Sequence, residues 1–198
     1  MKFRAPLFIL LVMAVLSSCQ KDDLPPAVSP TTRLFVVNAS GEIFNIFQNG
    51  NRLNNDASLY PNGVFGYINI IAGQQNFQFK RMGSPDVSVA MPLTLDTLKS
   101  YSLYVTGLTT DEMFLLNDDF TADTGSVSMI RFVNASPETS NMDLVLRNVI
   151  AKADTVAKSQ TDTISNIAFK SNSAFKAFVS GDVQVRIFKA GALNALTT

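Results

Sequence analysis

Few side chains in this sequence are suited to chemistry. Cys19 is the only cysteine, and histidine is absent. Without histidine the usual general base near neutral pH and the commonest metal ligand are missing, and Ser-His-Asp or Cys-His catalysis is excluded. Carboxylates alone can still hydrolyse glycosides in principle, but no acidic pair here sits in a recognisable site context. The run Asn117-Asp118-Asp119, with Asp123 beyond it, offers oxygen ligands to calcium. It lacks the Asp-x-Asp-x-Asp-Gly spacing of an EF-hand loop, so a solvated linker is the better reading. Asn38-Ala-Ser and Asn134-Ala-Ser place short polar side chains at strand ends. There they cap a turn by bonding nearby backbone groups, so a structural role is expected before a ligand role. Tyr60, Tyr67, Tyr101 and Tyr104 could contribute to a sugar-binding face, although tyrosines at strand spacing are mostly core or half-core. No catalytic residue, metal ligand or cofactor is assigned, and the chain is read as a non-enzyme.

Cys19 is explained by what surrounds it. Met1-Lys-Phe-Arg carries two positive charges, and Ala5 to Leu16 is uncharged and largely apolar. As a helix this apolar stretch would span roughly 18 Å, short of the hydrocarbon thickness of about 30 Å. A positive start, a short apolar core and small residues before a cleavage point make a secretory signal. Leu16-Ser-Ser-Cys19 resembles the bacterial lipobox, which implies that Cys19 becomes the lipid-modified N-terminus and forms no disulfide. A single acyl chain gives only marginal anchoring; the three chains that such lipoproteins typically carry would hold the protein stably. Lys21, Asp22 and Asp23 follow directly. A lysine and an acidic pair in this place resemble the export signal of Bacteroidetes-type surface lipoproteins, which implies the outer face of the outer membrane of a Gram-negative cell. Leu24 to Thr32 has three prolines, which favour extended polyproline geometry. Residues 1–18 are therefore expected to be removed, and residues 19–31 to form a tether reaching roughly 35 Å.

The elements beyond the tether repeat. Val-Asn-Ala-Ser recurs at 37–40 and 133–136, an offset of 96. Phe44 to Gly50 matches Met142 to Asn148 at an offset of 98, and Gly66 to Gly73 matches Ala174 to Gly181 at an offset of 108. A series kept in order points to a tandem duplication, with a ten-residue insertion within Val149–Ser173 of the second copy. The matched stretches alternate with period two: Phe44, Ile46 and Gln48 lie on one face, as do Met142, Leu144 and Leu146. Asn49-Gly50 is the sequence of a type I′ hairpin turn. Further strands are expected at Val87–Pro92, Tyr101–Thr106 and Met113–Leu116, and no amphipathic helix of normal length is evident. The spacing predicts an all-β protein of two tandem β-sandwich domains, residues 32–119 and 127–198, joined by a linker at 120–126. The second domain lacks counterparts of Lys99 to Gly107 and Met113 to Asp119 and is read as truncated, which would leave an unpaired edge.

RFVNASP at 131–137, FNIFQNG at 44–50, YINIIAG at 67–73, KSYSLYVTG at 99–107 and LLNDD at 115–119 resemble the bacterial family called domain of unknown function 4397. Gly41 departs from it, standing where the family usually has the proline found at Pro137. The resemblance implies an immunoglobulin-like or transthyretin-like β-sandwich on secreted or envelope proteins, and no established activity. Without Lys2 and Arg4, the 16 basic residues fall to 14 against 16 acidic, a net of −2. No basic block stands out, so a nucleic-acid partner is not expected. The expected partners are the membrane, through Cys19, and a polysaccharide or protein ligand captured by a surface-exposed lipoprotein. The alternative is a periplasm-facing lipoprotein that docks an envelope complex.

Overall fold

The computed structural model describes residues 29–121, 125, 127–137, 139–148, 160–179 and 181–192. Residues 1–18, expected as a leader, and Cys19, Lys21, Asp22 and Asp23 lie outside the described residues, as does Asp123.

The first half is a β-sandwich whose inner faces follow from alternation. In β1 (Thr31–Asn38), Thr32, Leu34, Val36 and Asn38 point inward while Arg33, Phe35 and Val37 point outward. β1 pairs antiparallel with β4 (Val64–Ile71) and parallel with β7 (Ser100–Val105), which pairs antiparallel with β8 (Met113–Asn117). The opposing sheet runs β3 (Asn51–Arg52), β2 (Phe44–Gln48), β5 (Gly73–Arg81), β6 (Val89–Leu95). Between the sheets lie Leu34, Val36, Phe44, Ile46, Phe79 and Leu103, all fully buried. Phe44 meets Phe79 edge-on at 5.6 Å, a favoured aromatic geometry. Burying each such side chain contributes roughly 1.5–3 kcal/mol. The expected turn is present: Asn49 and Gly50 have φ of 49° and 85°, and Gln48 pairs with Asn51 across them. The strands expected at 87–92, 101–106 and 113–116 are β6, β7 and β8, displaced by a few residues at their ends.

The second half repeats the register of the first. β9 (Val127–Ile130) pairs with β12 (Lys176–Val179), and β10 (Met142–Asn148) lies between β11 (Gln160–Ile167) and β13 (Val183–Lys189). Leu34 faces Ile68, and their counterparts Ile130 and Lys176 face each other. Phe44 faces Arg81, and their counterparts Met142 and Lys189 do the same. The sequence offsets of 96, 98 and 108 therefore hold as strand register. Where two residues join β2 to β3, residues 149–159 join β10 to β11, which is where the extra residues enter. The core here is smaller: Leu144, Leu146, Ile164 and Phe178. Among the described residues no strands stand where β6, β7 and β8 stand in the first half. Val185 and Ile187 are accordingly 54% and 56% exposed, whereas their counterparts Phe77 and Phe79 are 0% exposed. No helix among the described residues is long and apolar enough to cross a membrane.

Candidate functional site

The two Asn-Ala-Ser motifs are consumed by the fold. Asn38 is fully buried at the end of β1. Its Nδ2 donates to the carbonyls of Glu42 and Leu59 at 2.8 and 3.1 Å, and its Oδ1 accepts from the backbone N–H and the hydroxyl of Ser40 at 2.9 and 2.7 Å. Asn134 does the same work: Nδ2 donates to Ile167 and Oδ1 accepts from Ser136 N–H. Each asparagine also exchanges backbone bonds with a turn, Asn62 and Gly63 in one half, Lys170 and Ser171 in the other. All four side-chain bonds of Asn38 are used within the fold, and Asn134 is 1% exposed, so neither is presented to a ligand.

Asp118 departs from the sequence reading. It was expected in a solvated linker, yet its side chain is 1% exposed. Parallel pairing of β7 with β1 and antiparallel pairing with β8 put Ser102 and the end of β8 beside Tyr67. Tyr67 Oη and Ser102 Oγ both donate to Asp118 Oδ2 at 2.7 Å, and Arg131 of the second half donates to Oδ1. Arg131, 10% exposed, also reaches the Asn117 carbonyl at 3.2 Å and stacks over Phe175 at 4.8 Å. A guanidinium already sits against the carboxylate, so the calcium reading of 117–119 has no geometric support. Lys170 donates to the Asp111 carbonyl, and Phe169 meets Phe114 edge-on at 6.4 Å. These contacts join the two halves. Sequence reasoning missed the joint because the side chains that bond Asp118 stand 13 to 51 residues from it.

The same network fixes an exposed surface. In β4, Ile68 packs on the core, so its neighbour Tyr67 faces outward, and the Tyr67 and Phe35 rings lie 5.1 Å apart. Phe120, just after β8, meets Tyr67 edge-on at 5.7 Å. The Arg33 guanidinium lies 5.6 Å from the Tyr67 ring and 5.7 Å from the Phe120 ring. Tyr67 and Phe120 are exposed, as are Val64 and Ile71 on β4. Burial, with the nearby Asp118 charge adding to it, pushes the Tyr67 phenol up to about 12, although its bond with Ser102 opposes the rise. The four tyrosines do not share one face. Tyr101 is buried, half-buried Tyr104 stacks on Phe114 at 5.0 Å, and only Tyr60 and Tyr67 are exposed.

A second concavity, about 370 Å³, opens at the sandwich end between Glu42, Arg81, Thr106 and Glu112. Its polar groups pair with one another. Arg81 binds Glu42 bidentately at 3.0 and 3.1 Å, and Thr109 Oγ1 donates to Glu112 at 2.7 Å. The aromatic and guanidinium platform, by contrast, presents groups outward, and it is the better candidate for recognition.

Comparison with known proteins adds the following. No curated protein matches the chain. A solved structure of a DUF3823 family protein from Bacteroides ovatus is similar, at 12% identity and a TM-score of 0.25, over 83% of this chain and 93% of that one. A family profile described as Domain of unknown function (DUF4397) matches residues 31–145. That span is more than half of the chain, and the protein belongs to this family.

Proposed function

We propose that this protein is a non-catalytic lipoprotein, anchored through Cys19 in the outer membrane and exposed at the cell surface, whose β-sandwich halves present a ligand-capture face. The observation that carries the reading is the Arg33, Tyr67 and Phe120 platform. It is exposed, it stands on a paired sheet, and bonds from Tyr67 to Asp118 and from Arg33 to Ser100 hold two of its three side chains. Aromatic rings and arginine are the side chains most often responsible for binding energy at recognition surfaces. Support for the anchor comes from the lipobox-like Leu16-Ser-Ser-Cys19, and support for surface export from Lys21, Asp22 and Asp23. Protease treatment of intact cells, with a periplasmic protein as control, tests the location. Loss of this protein while the control survives is the expected result, and protection overturns surface exposure.

A second reading has its own observation. The exposed Val185 and Ile187 on β13 stand where the first half has buried phenylalanines. A periplasm-facing lipoprotein that docks an envelope complex would cover that face. Stoichiometric co-purification of a partner from gently solubilised membranes, together with protease protection in intact cells, would favour this second reading.

A further inference from the structure

We infer that the platform of Arg33, Tyr67 and Phe120 binds the carboxylate-bearing sugar units of an acidic polysaccharide; the inference rests on the ligand-capture reading and names its ligand class. The charge argument comes first. Arg33 is exposed and its Nε donates to Ser100 Oγ at 2.9 Å, which fixes the plane of the guanidinium. Its terminal nitrogens bond no other described residue, and no acid among the described residues pairs with it. Among the described acids on the same segment, Asp118 is held by Tyr67, Ser102 and Arg131, and Asp119 accepts the Thr121 N–H. An oriented guanidinium with free terminal N–H groups matches a carboxylate bidentately.

Shape gives the second half of the argument. Tyr67 and Phe120 are perpendicular, with 84° between their planes, so they form a corner beside the cation. An aromatic face accepts the C–H groups of a pyranose ring, and a corner of two rings fixes its orientation next to the guanidinium. Tyr67 is held by its bond to Asp118, so little side-chain freedom is lost on binding. Outward-facing Val64 and Ile71 lie at the two ends of β4, about 23 Å apart at strand rise. That length suits several units of an extended polymer better than one small molecule. The ligand that satisfies both the corner and the unpaired cation is a uronate-containing chain.

The full chain would be titrated calorimetrically with oligogalacturonate, oligomannuronate and hyaluronan oligosaccharides, and with carboxyl-reduced counterparts of each. The expected result is binding to at least one uronate oligosaccharide and loss of about tenfold or more on carboxyl reduction, the scale of a charged hydrogen bond. Arg33→Gln and Phe120→Ala should each weaken that binding by a similar factor while the melting temperature stays near that of the parent. No binding to any of the three, equal binding of reduced and unreduced sugars, or unchanged affinity in Arg33→Gln overturns the inference. Capture of a neutral glycan or a purified protein that is lost in Phe120→Ala would also overturn it, but would leave the broader capture reading standing.

Discussion

Replacing Arg131 with methionine isolates the charge at the joint, because methionine retains much of the stem and removes the guanidinium. The side chains of Asp118 and Arg131 are 1% and 10% exposed. Breaking a buried pair by removing one partner costs about 3–5 kcal/mol, because the remaining charge is left uncompensated. Two hydroxyl donors, from Tyr67 and Ser102, stay on Asp118 Oδ2. They offset part of that cost and bring the expected loss to about 2–3 kcal/mol. The internal control is Arg81→Met, which breaks the Glu42 pair between side chains 55% and 43% exposed. An exposed pair of that kind is worth under about 1 kcal/mol.

Urea unfolding followed by far-ultraviolet circular dichroism gives both values, since the chain has no tryptophan to report by fluorescence. Adding Asp118→Asn to Arg131→Met keeps an acceptor for Tyr67 and Ser102 but removes the orphaned charge. The double variant should therefore recover to within about 1 kcal/mol of the parent, the behaviour expected when a buried ion pair is replaced as a unit. If Arg131→Met loses no more than Arg81→Met, or if the double variant is less stable than Arg131→Met alone, the pair is not a desolvated joint and the reasoning fails.

Three further outcomes follow from the geometry. The Tyr67 phenol is raised to about 12 by burial and by Asp118, so the unfolded chain ionises first as pH rises past about 10; stability should be intact below that and fall between about pH 10 and 12. Alkaline unfolding curves should show this loss in the parent and a smaller one in Tyr67→Phe. Asn38→Ala strands the Ser40 N–H in the interior and removes the side-chain donor from the Glu42 carbonyl, and should cost about 3 kcal/mol by urea unfolding; undiminished stability would mean that the motif is not a structural clamp. Gly63→Ala should cost more in melting temperature than Gly107→Ala: an added Cβ would meet the Tyr60 carbonyl oxygen at 2.8 Å in the first case, but only the movable Glu112 carboxylate in the second.

Much of the fold was legible because it is local or periodic. Phe44, Ile46 and Gln48 show their buried face by alternation, and Asn49-Gly50 can take the positive φ its turn needs. The repeat offsets match the register of pairing in both halves, where a one-residue slip would exchange the two faces. The site was less legible. Nothing in Ser100–Val105 declares that it will lie parallel to β1 rather than antiparallel to a sequence neighbour. That pairing places Ser102 beside Phe35 and Tyr67, and so decides that Asp118 is buried. The acidic run read as linker because charge patterning describes a segment alone, whereas burial depended on one arginine from the other half. Arg33 was invisible for the same reason. Its aromatic neighbours, Tyr67 on β4 and Phe120 just after β8, are far from it in sequence.

The turns that answer the two asparagines share a backbone and differ in what their side chains touch. In both halves the Asn accepts from the third turn residue and donates its N–H to the carbonyl of the fourth. Asn62 and Lys170, at equivalent positions, share a φ of 59° and 61°. The backbone is thus dictated by the clamp, and the turn's side chains are free to vary. In the first half the turn is Tyr60-Pro-Asn-Gly63; in the second it is Ala168-Phe-Lys-Ser171. A lysine with positive φ carries a cost of about 1 kcal/mol or more that asparagine largely avoids. The second half carries it at the residue whose Nζ reaches the Asp111 carbonyl, next to the residue whose ring meets Phe114. The strained lysine and its phenylalanine neighbour make the turn a docking element, and with Arg131 on Asp118 they hold the second half against the sheet that presents the platform.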